Sequence, residues 1–518
     1  PITLLRQWGK SRDASPTAQI IAKLAETWYY RITGFHEKCL SLINEGLELA
    51  RTSGIYFMDY VFLTHGIMSA LSKNDTATVE NFLEKMESYL SRLHPWGKFF
   101  YHYLRTREAL LRGDIKQASF HSELSLKFGT DAGCHLTLWM CHVMKAHVMH
   151  RLGKDREARD HLSHVSRRKL GEYVVLMAEA LFALDRGEEA SGLASLRKAL
   201  AIGKEGKYLD PYVDQPSAMA RLCEKALEAG IEVEYVQELI RRRNLIPERL
   251  PIHLEHWPWP LKVFTLGRFE ILRDGQPLQF TRKVQQKPLS LLKALIAFGG
   301  RKVREEQIAD LLWSESDGDI AHQSFEIALH RLRQLIGHPE AIQLREGCLT
   351  LDPKYCWIDV WAFEGLVEKV DATWREERKG MDMAESTQLI QKTLDIYQGS
   401  FLPEETFEPW TDSLRERLRN KFLRCVEKLG HYWENSGQWE KAVEYYQRGL
   451  EIDELIEEFY QHLMVSYQKL DQPTKALSVY NRCKKTLSSA LGIEPSLKTQ
   501  TLYKSLIANW RNGETVSR

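Results

Sequence analysis

One short stretch of the sequence combines side chains that can recognise a nucleic acid. In DGDIAHQSFEIALHRLRQLIG, residues 317–337, apolar residues recur at intervals of three and four, which predicts a helix over 319–336 with one buried face. Asp319 is predicted to cap the helix N-terminus, and Gly337 to end the helix. The outer face carries His322, Gln323, Glu326, Ile327, His330, Arg331, Arg333 and Gln334. Amides, imidazoles and guanidinium groups of this kind can contact base edges and phosphates.

An ordinary amphipathic helix with a solvated polar face has the same pattern, so the surrounding charge is needed to separate the two interpretations. Between residues 282 and 304 the sequence has seven cations and no acidic residue: Arg282, Lys283, Lys287, Lys293, Arg301, Lys302 and Arg304. A run of this kind is also compatible with a solvated face. Next to the predicted helix, it favours a surface that faces phosphates.

The charge reverses immediately before the predicted helix. Residues 305–319 contain six acidic residues and no cation, and the loop SESDGD carries the last three of them, Glu315, Asp317 and Asp319. An acidic loop is repelled by DNA phosphates. The sequence therefore predicts that this loop contacts a protein.

Composition excludes several classes of protein. The chain has 518 residues, a formal net charge of +1, 43% hydrophobic and 27% charged residues, which is typical of a globular protein with several domains. Eight cysteines without a C-x-x-C pair favour reduced thiols. No signal peptide or membrane-spanning run is present, so we expect a cytoplasmic protein without membrane contact. The chain starts at Pro1 without a start signal, which suggests the C-terminal part of a longer protein.

Residues 1–245 are predicted to form a tetratricopeptide-like α-solenoid. Gly113, Gly153 and Gly187 lie in turns between helical segments, 40 and 34 residues apart. A glycine that ends one helix, then charged residues, then an alanine four or five places on is the pattern of stacked helical hairpins. Such stacks usually bind a ligand on a concave surface rather than catalyse a reaction. We expect an effector or a protein ligand here.

A cysteine and histidine cluster, CHLTLWMCHVMKAHVMH from Cys134 to His150, has two interpretations. On a helix Cys134 and Cys141 are about 10.5 Å apart along the axis, too far to share a metal ion. His147 and His150 are close enough, but two ligands do not make a site. A packed helix is favoured over a metal or redox sensor, and no metal or other cofactor is predicted.

Four prolines between residues 246 and 260 predict a linker. Residues 261–280 then alternate in the manner of strands around a hairpin at Asp274-Gly275. Helical segments follow at 287–300 and 305–313, then the helix 319–336, and then two short strands that turn at Glu346-Gly347. Strands, three helices and a terminal hairpin predict a small α+β winged helix-turn-helix domain over 261–365.

Helical segments resume in 366–518 with an internal period. Five residues recur at a distance of 34, the length of a tetratricopeptide repeat: Gln438, Lys441, Ala442, Tyr446 and Arg448 correspond to Gln472, Lys475, Ala476, Tyr480 and Arg482. The predicted fold class is therefore mainly α, with helical repeats on both sides of the winged helix.

The segments LKVFTLGRFEILRDGQPLQF, KPLSLLKALIAFGGRKV, EEQIADLLW and AHQSFEIALHRLRQLIG resemble the OmpR-type DNA-binding domain of SARP-type bacterial transcriptional activators. Residues 366–510 resemble the bacterial transcriptional activator domain that follows it in those proteins. In the wing, this sequence has Cys348 after Gly347, where the family commonly has a tyrosine. The preceding solenoid is closer to MalT-like regulators, which carry an ATPase module further toward the N-terminus.

The resemblance implies roles for individual residues. Base-edge candidates are Gln323, Glu326, Ile327, His330 and Arg331. Phosphate candidates are Arg282, Lys283, Lys287, Arg301, Lys302, Arg304, Arg333 and Arg345. The acidic residues Glu315, Asp317 and Asp319 are candidates for contact with RNA polymerase.

These patterns predict a transcriptional activator that is not an enzyme. Its expected partners are double-stranded DNA, RNA polymerase and a second copy of the chain, because one reading helix recognises only a short half-site. One alternative is a protein-interaction scaffold made of helical repeats. Another is the regulatory part of a larger signalling ATPase, although the chain has no P-loop motif and its GKEGKY run has the wrong spacing.

Overall fold

The structure is a computed structural model that describes residues 14–33, 35–72, 75–165, 168–209, 216–247, 249–279, 286–377, 383–406 and 408–516. These ranges contain 22 α-helices, three short 3₁₀ helices and seven β-strands. The chain divides into two compact units, one that ends at Pro258 and one that begins at Trp259. This division lies inside the predicted proline-rich linker.

The first unit consists of helices alone. They are α1 Pro16–Ile32, α2 His36–Ser53, α3 Asp59–Ser72, α4 Thr76–Ser88, α5 Pro95–Arg112, α6 Ile115–Asp131, α7 His135–Arg151, α8 Asp155–Ser163, α9 Lys169–Asp185, α10 Glu189–Gly206, α11 Pro216–Glu228 and α12 Val233–Arg243. Consecutive helices pack together, and alternate helices α5, α7, α9 and α11 also contact each other in a row. This arrangement confirms the predicted α-solenoid.

The predicted turns are present and have a common geometry. Gly113, Gly153 and Gly187 have φ of 75°, 74° and 77°, the left-handed conformation that ends a helix. Five residues after the first two glycines, Ala118 and Ala158 are completely buried. The third turn departs from the predicted alanine: it has Gly192 at that place, where a Cβ atom would lie 2.7 Å from Cγ of Leu184. Close packing of successive helices therefore requires a small residue at this position.

The cysteine and histidine cluster lies in and beside helix α7, where neighbouring helices engage its side chains. Cys141 is buried, which raises the pKa of its thiol to about 11, and the thiol donates to the Ser125 carbonyl oxygen at 3.3 Å. Nδ1 of His142 lies 3.0 Å from Nδ1 of His161. All eight cysteines fall in the described ranges and are free thiols.

The second unit begins with the winged-helix region. Its strands are β1 Leu261–Phe264, β2 Glu270–Arg273, β3 Gln276–Pro277, β4 Val303–Arg304, β5 Ile342–Arg345, β6 Cys348–Leu351 and β7 Cys356–Ile358. Its helices are α13 Gln286–Ala297, α14 Glu305–Leu312 and α15 Gly318–Ile336. One sheet has the order β3-β2-β1-β7 and the other β4-β6-β5.

Both predicted hairpins form. Asp274 and Gly275 have φ of 51° and 81° between β2 and β3, and Glu346 and Gly347 have φ of 52° and 70° between β5 and β6. Two successive positive φ values match the two-residue turns that suit the twist of an antiparallel pair. Strand β7 adds a pairing that the sequence analysis did not predict, since it lies parallel to β1 with Val263 opposite Ile358.

The activator-type region is helical. Its helices are α16 Asp359–Glu377, α17 Met383–Ile396, α18 Asp412–Asn435, α19 Trp439–Ile452, α20 Glu457–Lys469, α21 Pro473–Leu491 and α22 Leu497–Val516. Residue 365, where the sequence analysis ended the winged-helix domain, lies within α16. A single hydrophobic core extends from Leu261 to Leu506 and includes residues of both regions.

The 34-residue repeat has a structural counterpart. Ala442 and Ala476, at equivalent positions of α19 and α21, are both completely buried. The ammonium group of Lys441 lies 4.0 Å from the ring centre of Trp433, and that of Lys475 lies 5.6 Å from the ring centre of Tyr467. Equivalent residues thus make equivalent contacts, as stacked helical hairpins require.

Within the described ranges, no helix combines the length and the apolar character that crossing a bilayer requires.

Candidate nucleic-acid interface

Helix α15 begins and ends close to the predicted positions, but with a different cap. The N-cap residue is Asp317, with φ −59° and ψ 149°, and its side chain makes no capping hydrogen bond. The prediction that Asp319 caps the helix is wrong, because Asp319 already belongs to the first helical turn. Gly337 ends the helix with φ 72°, as predicted, and Arg273 donates from Nη1 to the carbonyl oxygen of Leu335 at 3.1 Å.

The helix separates an apolar face from a polar one. Its buried residues are Ala321, Phe325, Ala328, Leu329, Leu332 and Ile336. Since successive residues turn by about 100°, the side of the helix away from this face carries Ile320, Gln323, Ile327, His330, Arg331 and Gln334. We call these six residues the outward stripe.

The outward stripe contains one residue that the sequence analysis missed. Ile320 and Ile327 are 56% and 45% exposed, although isoleucine is normally buried. The sequence signal for Ile320 was its separation of seven residues from Ile327. Seven residues are about two helical turns, so both side chains lie on one face. Exposed apolar side chains on a reading helix can contact thymine methyl groups.

The polar base-edge candidates differ in the contacts that they make within the protein. Nε2 of His330 lies 3.0 Å from Nε2 of Gln334, one helical turn further on. Glu326 lies beside the stripe, and its carboxylate is 3.6 Å from Nε2 of His322. Arg331 is exposed and makes no hydrogen bond or ion pair with any residue that the structure describes. Its guanidinium group keeps all its donors for a ligand.

Arg333 has a different role from Arg331, which lies two residues earlier on the same helix. It is half-buried and donates from Nε and Nη2 to the carbonyl oxygen of Ile342, at 3.1 and 2.8 Å. These bonds tie the C-terminal part of α15 to strand β5. Arg333, a phosphate candidate, therefore uses two of its donors inside the protein.

The run of seven cations does not form one continuous surface. Arg282 and Lys283 lie outside the described residues. Lys287 donates to the carbonyl oxygen of Leu312 at 2.6 Å and so supports the end of α14. Lys293 is paired with Glu405, and only 12% of its side chain is exposed. Lys293 is therefore not available to a phosphate.

The remaining cations gather on the wing sheet. Arg301 and Lys302 are exposed in the segment before β4. In the register of the sheet, Arg304 on β4 and Arg345 on β5 both lie opposite Cys348 on the central strand β6. Directly opposed residues of an antiparallel pair share a face, so the side chains of Arg304 and Arg345 emerge on the same side of the wing.

Comparison with known proteins identifies the C-terminal region. Residues 358–507 match the family model of the bacterial transcriptional activator domain. The chain is 23% identical over 238 residues to the regulatory protein AfsR of Streptomyces griseus, and 23% identical over 247 residues to AfsR of Streptomyces coelicolor. The chain therefore contains a bacterial transcriptional activator domain, and it is similar to SARP-type bacterial transcriptional activators. The alignments cover 46% and 48% of this chain, but only 23% and 24% of the two relatives, so it spans about a quarter of their length.

The chain is also similar to solved structures at low scores. A complex of Mycobacterium tuberculosis EmbR with a phosphopeptide is 18% identical, covers 48% of this chain and 65% of the other, and has a TM-score of 0.39. Yeast Tom70 is 11% identical, covers 96% and 97%, and has a TM-score of 0.20. At these scores the likeness carries no functional argument.

The acidic loop before α15 is open to solvent. Glu315, Asp317 and Asp319 are all exposed, and none of the three side chains forms an ion pair within the described residues. The loop joins α14 to α15 directly, so it stands at the N-terminal end of the outward stripe. Three unneutralised carboxylates at this place favour contact with a basic protein surface over contact with phosphates.

A buried carboxylate connects the winged-helix region to the helical region that follows it. Asp359, the first residue of α16, accepts hydrogen bonds from the amides of Thr265 at 2.5 Å and Leu266 at 2.7 Å, and from the Thr265 hydroxyl at 2.6 Å. Burial raises the pKa of Asp359 to about 6, while these bonds and one from Val360 act in the opposite direction. The sequence analysis missed Asp359, and a lone aspartate after a short apolar run gave little signal.

Proposed function

We propose that this activator binds double-stranded DNA with helix α15 in the major groove. The observation that carries the proposal is the outward stripe, which joins an unengaged guanidinium group at Arg331 to amides and two exposed isoleucines. Arginine pairs with guanine, glutamine with adenine, and an apolar side chain with the thymine methyl group. The base-edge candidates are therefore Gln323, Ile327, His330 and Arg331, with Ile320 in addition. Glu326 lies at the margin of the outward stripe.

The wing is proposed to hold the DNA backbone. Arg304 and Arg345 share one face of the wing sheet, and Arg301 and Lys302 precede it. Cations on the wing fix the register of a reading helix without selecting a sequence. Lys287 and Arg333 support the protein fold and are weaker phosphate candidates, because part of their donor set is already used.

The acidic loop is proposed to contact RNA polymerase, with a partner protomer as the other candidate. Its carboxylates lie just before α15 and in its first turn, where negative charge favours a basic protein surface over phosphates. One reading helix per chain covers only a short half-site, so two copies bound to adjacent half-sites would supply the specificity that a genome requires. The solenoid is proposed to control this activity by binding an effector.

The test is an electrophoretic mobility shift assay with the purified chain and random genomic fragments, followed by sequencing of the retained DNA. We expect enrichment of a short motif and an affinity that falls steeply with salt concentration. A protein-interaction scaffold would give no salt-dependent shift, and that result would exclude the DNA-binding proposal. Loss of the shift in Arg331→Ala, with retention in Lys504→Ala on α22, would assign binding to α15.

A further inference from the structure

The solenoid contains a polar cavity of about 490 Å³. Helices α5, α7, α9 and α11, the alternate helices that contact each other in a row, supply most of its wall, and the segment after α12 adds Pro247 and Arg249. This volume is within the range of pockets that hold small molecules, about 300–1,000 Å³. The cavity lies within the first unit and does not involve the residues of the proposed DNA interface.

Two histidines of α7 are held in fixed positions at the wall. The ring of His150 stacks on Phe182 with centres 4.1 Å apart, and His147 meets the same ring edge-on at 5.2 Å. Burial lowers the pKa of His147 to about 4, so this imidazole is neutral at pH 7. Its Nε2 atom is buried and has no hydrogen-bond partner among the residues that the structure describes. A buried polar atom without a partner is costly, and a ligand in the cavity would satisfy it.

An acidic residue organises the cations of the cavity. Asp185 accepts from Nε2 of His150 at 3.0 Å and from Nη1 of Arg221 at 2.6 Å. Burial lowers the pKa of His150, but hydrogen bonds to Asp185 and Asp155 outweigh it and raise the pKa overall. The carboxylate of Asp185 is thus occupied on both oxygens, and it orients Arg221 beside the cavity rather than repelling an anion from it.

The charge at the wall is positive. The lining contains three arginines, Arg151, Arg221 and Arg249, against two carboxylates, Asp185 and Glu224. Arg151 is exposed and makes no hydrogen bond or ion pair within the described residues. Guanidinium groups are the preferred partners of carboxylates and phosphates, because they offer two parallel donors.

We propose that this cavity binds a small anionic molecule, through a carboxylate or phosphate group held by Arg151 and Arg221. His147 would complete the recognition as a neutral hydrogen-bonding group. The inference names the ligand class for the effector that the proposed function assigns to the solenoid. It rests on that sensor role, but its test measures ligand binding and not DNA binding, so either proposal can fail while the other stands.

The test measures the melting temperature of the full chain against increasing inorganic phosphate and, separately, citrate, each compared with sodium chloride at the same ionic strength. We expect a saturable rise for at least one of the two anions, which also distinguishes a phosphate ligand from a carboxylate ligand. In Arg151→Gln and Arg221→Gln the midpoint should move to about tenfold higher anion concentration, the loss of one charge-assisted bond.

Arg197→Gln is the matched control, since Arg197 is exposed on α10 of the same unit and does not line the cavity. Its midpoint should equal that of the unmodified chain. Arg151→Gln breaks no bond within the described residues, so its folding should be unchanged even if Arg221→Gln is destabilised. The proposal is overturned if neither anion raises the melting temperature above the sodium chloride series, or if both cavity variants respond like the unmodified chain.

Discussion

Arg333 donates two hydrogen bonds to the carbonyl oxygen of Ile342, at 3.1 and 2.8 Å, while Arg331, two residues earlier on the same helix, donates none within the described part of the chain. Two arginines in one RLR run thus have different roles. One joins the helix to the wing, and the other remains available for a ligand.

Replacement of Arg333 by alanine should lower the stability of the second unit. The carbonyl oxygen of Ile342, a buried residue, would lose both donors, which costs about 1–3 kcal/mol of unfolding free energy. Chemical denaturation followed by circular dichroism measures this loss, with Arg331→Ala as the control that should unfold like the unmodified chain. An Arg333→Ala chain of unchanged stability would contradict the structural role.

Replacement of Arg331 by alanine should act on DNA recognition. We expect a loss of about 1–3 kcal/mol on the cognate site and a smaller loss on unrelated DNA, because a bidentate contact to a base discriminates between sequences. Fluorescence anisotropy on the two DNA duplexes measures both values. Equal losses on both duplexes would make Arg331 a phosphate contact instead.

The wing arginines should contribute to affinity without contributing to specificity. Arg304→Ala and Arg345→Ala should each weaken binding to all sequences alike and reduce the slope of log affinity against log salt concentration by about 1. Titrations at several salt concentrations provide that slope. Lys504→Ala, on the distant helix α22, should leave the slope unchanged; an unchanged slope in the wing variants would remove the wing from the DNA interface.

Asp359 should be essential for the connection between strand β1 and helix α16. In Asp359→Asn, two of the buried donors from Thr265, Leu266 and Val360 lose an acceptor, which we expect to cost about 2–6 kcal/mol of unfolding free energy. Thr265→Val removes only the hydroxyl donor and should cost less. Denaturation midpoints that rank the two variants in the opposite order would contradict this assignment.

The stability of the solenoid should depend on pH through His150. Its pKa in the folded chain is raised above the ordinary 6.5, so the folded state holds this proton more tightly than the unfolded state does. The resulting stabilisation is complete below about pH 6.5 and is lost as the pH rises through the folded-state pKa. The difference in melting temperature between the unmodified chain and His150→Gln should therefore shrink from pH 6 to pH 9.

His135→Gln provides the comparison for this measurement. His135 is exposed at the start of the same helix and makes no hydrogen bond or ion pair with any described residue. Its difference from the unmodified chain should stay constant over the same pH range. A constant difference for His150→Gln as well would show that the two carboxylates do not hold the proton.

The local pattern of the sequence determined the elements of this protein. Turn glycines such as Gly153, the hairpin at Glu346-Gly347 and the 34-residue period after Gln438 all have signals within a few residues of each other, because helix and turn geometry depends on neighbouring side chains. The buried and exposed faces of α15 followed from the same periodicity.

Only the tertiary structure decided which charged groups are free. Lys293 meets Glu405 at a separation of 112 residues, and Asp359 meets Thr265 at a separation of 94, so neither pairing leaves a periodic trace in the sequence. The cavity in the solenoid likewise draws on four separate helices. A charged residue has the same local pattern whether it faces a partner or solvent, and its availability is set by where the rest of the chain passes.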